Sequence, residues 1–348
     1  YLRKLHEIGA NVVGLIEERS GNKPGISTIV GLEELAQRHP EAMVLNGVAN
    51  DFEQHRRITQ ICHQLRRDMA TAYQYMAALE WFDLGAEFAA VIDPAYFTTS
   101  VLDNIDGFEE SAKFFPGEKS ARIYWLTSLA RLEMNNSPYA EAQRLSGPQY
   151  FHPRFDYSGA QTLVDAGAYD GADTERFLAE FNSDADCVMY ELEPANAIVC
   201  DQKALELSVR FAPAQVHARP VGVWSRNDVL YLCGNGATAR VSNPDEAEWQ
   251  AGVVALDDEL DKATLVKLEV EGAELQALEG ARSLMRSARP NLSVSVYHLA
   301  PDIHTIPRFI EELDLGYEFE LGHHSPWWSF TVLYAVAPER ANKTGSSK

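Results

Sequence analysis

The sequence predicts an α/β fold built on a mostly parallel sheet, and three observations carry that expectation. Residues 162–194, TLVDAGAYDGADTERFLAEFNSDADCVMYELEP, read as strand, glycine turn, helix, strand. A parallel strand pair needs a crossover helix, so this is a βαβ unit. From about residue 155 strands and helices go on alternating. The first ~70 residues show the same alternation in a shorter, incomplete form.

Taken in order, residues 11–16 (NVVGLI) read as a strand and residues 32–38 as a short helix. Residues 42–45 are a second strand, and Phe52, Ile58, Ile61 and Leu65 then fall at helical spacing. This is a partial Rossmann-like unit over 1–70. Glu17 ends its first strand as a ribose-binding acid would, but no glycine loop precedes it; a packing role is the alternative. Residues 71–150 form a helical connector rich in aromatics, among them Trp81, Phe97, Phe115, Tyr124 and Trp125. They lack strand alternation and suit packing between helices. A third unit spans 151–340, and 341–348 is a polar tail.

Within the third unit, residues 172–181 have helical composition, with Asp173 and Glu175 in the first turn, where carboxylates suit the helix dipole. Residues 188–192 are the second strand, closed by Glu193 and Pro194. A helix over 195–207 follows, then a strand within 216–224. Residues 229–232 with a turn at Gly234 and Gly236 read as a hairpin. Residues 265–270 are a strand, 274–285 a helix, 292–296 a strand and 306–313 a helix. Residues 317–321 and 330–336 read as a closing antiparallel pair.

Composition narrows the function. The chain has 348 residues, enough for two domains, and a formal net charge of −21. A nucleic-acid binder would show a basic footprint, and none is present. No apolar run approaches the ~18 residues of a membrane span, so no membrane partner is expected. No signal peptide is visible in a sequence that starts at Tyr1. Cys62, Cys187, Cys200 and Cys233 lack C-x-x-C spacing and any zinc-type cluster. A reducing, cytoplasmic setting fits them.

Two constellations carry chemistry. In the first, Asp165, Gly167 and Gly171 shape a loop wider than G-x-G-x-x-G, which favours an adenosine ligand without a diphosphate. Glu193, ending the second strand, stands where a nucleotide-binding unit places the acid that accepts from ribose hydroxyls. An ordinary strand-turn-helix corner with a surface acid is the plain alternative. In the second, LVKLEVEGAE (265–274), Lys267, Glu269 and Glu271 alternate, and so share a face while the strand persists. Unpaired buried charge is costly, so they should pair or face a cleft; Lys267 is a partner for Glu269. The alternative is a Lys–Glu pair ordering the strand end, with Glu274 complementing a helix dipole. The strand over 292–296 runs into Tyr297 and His298. Ligands of open α/β sheets bind outside the carboxyl ends of strands, where Asp165, Glu193, Glu269, Glu271 and His298 all fall. His298 is the expected general base, since its ordinary pKa lies near neutrality.

VDAGAYDG, YELEP, VKLEVEGAE and NLSVSVYHLAPDIHTIP, with the final TVLYAV, resemble the FkbM-type family of S-adenosylmethionine-dependent methyltransferases over roughly residues 150–336. The family more often has Asp where Glu269 stands. The resemblance implies a class I methyltransferase fold, Rossmann-like, with a mostly parallel seven-stranded sheet and one antiparallel strand. It implies S-adenosylmethionine as cofactor, held by Asp165, Gly167, Ala168, Tyr169, Gly171, Glu193 and Pro194. It further implies O-methylation of a hydroxyl on a sugar, glycan or related small molecule. His298 would take the proton, and Glu269 or Glu271 would orient it or position the acceptor; no ligand motif demands a metal. A non-catalytic adenosine- or glycan-binding module, and an enzyme acting on a protein or small metabolite, remain the alternatives.

Overall fold

The computed structural model describes strands at 15–16, 28–29, 44–46 and 69–71, and residues 100–133, 137–234 and 240–342. The chain divides into two units, Tyr1–Phe82 and Asp83–Lys348. In the first, β1 (Leu15–Ile16) pairs in parallel with β2 (Thr28–Ile29), and β3 (Val44–Asn46) with β4 (Met69–Thr71). The helices expected over 32–38 and 52–65, Glu17, the aromatics before residue 100, Gly236 and residues 343–348 lie outside the described residues.

The second unit is built on a seven-stranded sheet, with β5 (Thr162–Ala166) and β12 (Leu265–Leu268) at its centre. On one side of that pair lie β6 (Asp186–Tyr190) and β7 (Val216–Arg219). On the other lie β13 (Asn291–Ser295), β15 (Thr331–Val336) and β14 (Glu318–His323). β15 is antiparallel to both of its neighbours, and every other pairing in this sheet is parallel. The expected class I methyltransferase architecture is borne out, including its single reversed strand.

Burial explains why the central strands are largely apolar. Successive side chains point to opposite faces. Val164, Ala166, Val266, Leu268, Leu292 and Val294 enter one hydrophobic cluster. Leu163, Cys187, Met189, Leu265, Val332 and Tyr334 enter the other. A sheet covered on both faces leaves no room for polar alternation, so the charged pair Asp165 and Lys267 at its centre is conspicuous.

Among the described residues the helices include α1 (Ile105–Ser111), α2 (Glu118–Glu133), α3 (Ser137–Leu145), α4 (Ala172–Glu180), α5 (Pro194–Arg210), α6 (Leu256–Glu259), α7 (Glu274–Glu279), α8 (Arg282–Ala288) and α9 (Asp302–Glu311). Among the described residues, no helix is long and apolar enough to cross a membrane. Phe115, Ile123 and Tyr124, from the segment expected to be a connector, share a core with β12 and β13. The Ser120 hydroxyl donates to Glu320 and accepts from the Leu321 amide, tying α2 to β14.

Several boundaries differ from expectation, for local reasons. β6 stops at Tyr190, two residues early, because Glu191 turns inward to backbone amides. The strand read within 216–224 is two: β7, and β8 (Gly222–Val223). β8 joins β9 (Asp228–Cys233), β10 (Arg240–Val241) and the unanticipated β11 (Trp249–Val254) in a separate four-stranded sheet. β9 and β10 form the expected antiparallel pair. The helix read over 274–285 breaks into α7 and α8 around Gly280. A Cβ there would lie 2.0 Å from the Trp224 carbonyl oxygen, so the close approach requires glycine.

Candidate active site

The site lies at the carboxyl ends of β5, β6, β12 and β13, and its first part is the loop after β5. Asp165 is fully buried. It accepts from the Thr174 hydroxyl at 2.7 Å and from the Lys267 ammonium at 2.8 Å. Lys267 also donates to the Gly167 carbonyl at 3.1 Å and lies 3.2 Å from Asp173. Burial alone would lower the pKa of Lys267, but Asp165, Asp173 and Glu269 outweigh it and hold the ammonium charged. Asp165 therefore supports the loop from beneath, and the direct ion-pair partners of Lys267 are Asp165 and Asp173 rather than Glu269. The loop backbone reverses through Gly167 at φ 74° and Tyr169 at φ 54°. A Cβ on Gly167 would lie 1.8 Å from the Glu269 carbonyl oxygen. That glycine lets the loop pack closely on the β12 extension. Gly171, also left-handed at φ 74°, packs against Lys203 and Met189. Ala168 is buried, while Tyr169 is 65% exposed.

The second part is the end of β6. Glu193 caps α5, accepting weakly from the Asn196 amide at 3.4 Å, with Pro194 in the first turn. Glu191, which sequence reasoning passed over, is the acid here that is bonded to the loop. It accepts from the amides of Tyr169 and Glu193, each at 2.8 Å. Burial raises its pKa against those bonds. The available signal was the first acid after the last buried strand residue.

The third part brings together Glu269, Glu271 and His298. The Glu269 carboxylate accepts hydrogen bonds from the hydroxyls of Tyr150, Ser295 (2.5 Å) and Tyr297. Burial pushes its pKa up, but His298, Lys267 and these donors pull it below the usual range. Glu271, on left-handed backbone at φ 54°, keeps a side chain 39% exposed. Burial raises its pKa, with a further push from Glu269 and Glu274 against the pull of His298.

His298 is 8% exposed in its side chain and sits among three carboxylates. Its Nδ1 lies 2.8 Å from Glu274, and its Nε2 lies 3.3 Å from Glu271 and 3.7 Å from Glu269. Burial opposes the charge, but Glu274, Glu269 and Glu271 raise the pKa to about 10. These carboxylates favour the imidazolium form of the ring near neutral pH. A ring that favours its proton so strongly weighs against the general-base role expected of His298. Glu274, fully buried, enters the sequence reading only in the alternative, as a helix-dipole complement; its contact with His298 depends on chain folding that spacing does not show.

Two other histidines are engaged elsewhere. His323 pairs with Thr331 and stacks on Tyr139, and His324 pairs with Tyr334. Burial lowers their pKa values to about 3 and about 4. Aromatic rings flank the carboxylate cluster instead: Trp328 and Phe330 lie 5.8 and 5.6 Å from Tyr297 between ring centroids. Among the described residues, no three metal-ligating side chains are arranged to hold an ion.

Residues 165–319 match the family described as the Methyltransferase FkbM domain, which bears out the resemblance seen in the sequence. A methyltransferase FkbM from Methylobacillus flagellatus KT has a similar fold, at a TM-score of 0.69 and 22% identity over 87% of this chain and 76% of that one. More distant is fibrillarin from Aeropyrum pernix, solved with natively bound S-adenosyl-L-methionine, at a TM-score of 0.34 and 13% identity over 58% of this chain and 76% of that one. No curated protein matches the chain.

Proposed function

We propose, for a chain whose residues 165–319 match an FkbM methyltransferase domain, that it methylates a hydroxyl of a sugar, glycan or related small molecule from S-adenosylmethionine. The observation that supports this reading is the convergence, at one sheet edge, of the loop after β5 with Glu269, Glu271 and His298.

The donor set suits a cationic adenosine compound. The loop of Gly167, Ala168, Tyr169 and Gly171 offers backbone and an exposed aromatic ring, and Asp165 and Lys267 hold it from below. Glu191, Glu193 and Pro194 border it, and the two glutamate carboxylates suit ribose hydroxyls. The acidic edge favours a positive sulfonium. When bound, the donor supplies an electrophilic methyl group. Glu271 is the proton acceptor in this proposal. It is the most exposed of the three carboxylates around His298, and its raised pKa makes it more basic than Glu269. The His298 imidazolium holds that carboxylate in place and offsets the neighbouring charge. Glu269, saturated by hydroxyl donors, is a fixed anion. The rings of Tyr297, Trp328 and Phe330 suit the apolar face of a ring-shaped acceptor. Free buried thiols at Cys187, Cys200 and Cys233 accord with a reducing, cytoplasmic setting.

The test is mass spectrometry of the purified protein for retained S-adenosylmethionine or its demethylated product, followed by calorimetric titration with the donor. Saturable binding of one donor per folded chain is expected. A folded chain that binds none overturns the reading. Binding without turnover across a panel of glycosides and other hydroxyl compounds would favour a non-catalytic module.

A further inference from the structure

We propose that Glu274 is the positioning residue of this site: one buried carboxylate fixes both the turn that carries Glu271 and the ring of His298. The roles of those two residues rest on the reading above, and Glu274 itself acts only through them.

The geometry is that of a clamp. Glu274 Oε1 accepts from the Val270 amide at 2.9 Å, and Oε2 accepts from the Gly272 amide at 3.0 Å. These amides stand on either side of Glu271. Glu271 has φ 54° and Gly272 φ 95°. Left-handed backbone at a non-glycine residue persists where its surroundings over-determine it. Two amides held by one carboxylate are such surroundings. A third interaction leaves the turn altogether, with Glu274 Oε1 2.8 Å from His298 Nδ1. A ring whose Nδ1–H donates to Oε1 must turn Nε2 the other way, and there it meets Glu271 at 3.3 Å. Nε2 is buried and makes no hydrogen bond of its own. The ring direction is therefore set at Nδ1, by Glu274.

The charge follows the geometry. The groups around His298 are Glu269 and Glu271 beyond β12, Glu274 on α7, Asp302 on α9 and the adjoining Tyr297 ring. Burial, with Glu274 adding to it, raises Asp302 to about 8, which leaves it largely neutral near pH 7 and unable to replace the charge of Glu274. Of the three carboxylates near the ring, Glu274 is the closest and the most deeply buried.

The test uses full-length protein labelled with ¹⁵N-histidine, as wild type, Glu274→Gln and Glu274→Asp, with melting temperature and donor titration on the same samples. In wild type, both His298 nitrogens are expected to be protonated at pH 8. Glu274→Gln should lower the His298 pKa by ~1–3 pH units, as removal of an opposite charge at this range does. It should also speed hydrogen exchange at the Gly272 amide and lower turnover while donor affinity changes less than about threefold. Glu274→Asp restores the charge and should recover part of the His298 shift. A folded Glu274→Gln with unchanged His298 titration overturns the inference. So does wild-type His298 titrating near 6.5, a measurement that needs no variant to fold. If His298 behaves as stated and no donor binds, the methyltransferase reading fails and the positioning role stands.

Discussion

Glu271 and Glu269 carry the same carboxyl group two residues apart and are set to opposite behaviour. Three hydroxyl donors hold Glu269 ionised, whereas Glu271 is more exposed, has a raised pKa and has His298 at its edge. Glu271→Gln should therefore lower turnover by ~10²–10⁴-fold, the usual contribution of a general base, while donor affinity stays within about threefold. Near-normal turnover in the folded variant would remove Glu271 from the proton path. At the donor side, Glu193→Ala should weaken S-adenosylmethionine by ~10- to 150-fold if that carboxylate takes the ribose hydroxyls. Calorimetry of Glu191→Gln beside it decides which acid does so, and equal affinity in wild type and Glu193→Ala sinks that assignment. Histidines set the pH response. His298, raised from 6.5 to about 10, contributes stability that is complete below pH 6.5 and is lost as pH rises through about 10. His323, lowered from 6.5 to about 3, contributes above pH 6.5 and loses that contribution as pH falls towards 3. Melting temperatures between pH 7 and 10 should fall less steeply in His298→Gln than in wild type; parallel curves would contradict the imidazolium.

Turns decide the site at the scale of elements. Gly167 and Gly280 each lie where a Cβ would run into a carbonyl oxygen, at 1.8 and 2.0 Å, and Gly167 is left-handed as well. Gly167→Ala should lower thermal stability by well over ~1 kcal/mol, more than the ordinary glycine-to-alanine effect, and weaken the donor along with it. A calorimetric scan and a donor titration check both, and wild-type values in each would mean the two loops separate more easily than this contact implies. The strands and crossover helices were legible in the sequence because a sheet covered on both faces writes long apolar runs. The grouping of Glu269, Glu271 and His298 was legible because all three follow strands that end at one edge. Tyr150, Ser295, Glu191 and Glu274 were not: each acts through a partner far away in sequence, or through a backbone amide that any residue could offer. Lys267 was assigned to its near neighbour Glu269 for the same reason. Its partner Asp165 stands on the adjacent strand in direct register, and register cannot be read from one strand.

Across the molecule, the fold of the second unit reaches beyond the segment that matches the FkbM domain. α2 and α3 pack on β14, and Phe115 and Tyr124 are buried in the core beside β12 and β13. A fragment of residues 151–348 should therefore lose cooperative folding, while 83–348 should melt in one transition. Near-UV circular dichroism and calorimetry distinguish them. A cooperative melt of 151–348 with donor binding intact would show that the helices before residue 150 are dispensable.

The place of β15 has a consequence for how the molecule is made. β13 and β14 precede it in the chain, yet the gap between them is its seat, and all six of its residues are buried there. On the ribosome, residues 291–323 emerge first, leaving two strands whose facing edges have no partner until residues 331–336 arrive. Open edges invite pairing with other chains. A nascent chain stalled near residue 325 would therefore hold nearly all of its core residues and still be at its most prone to aggregate, with one late strand closing both edges at once.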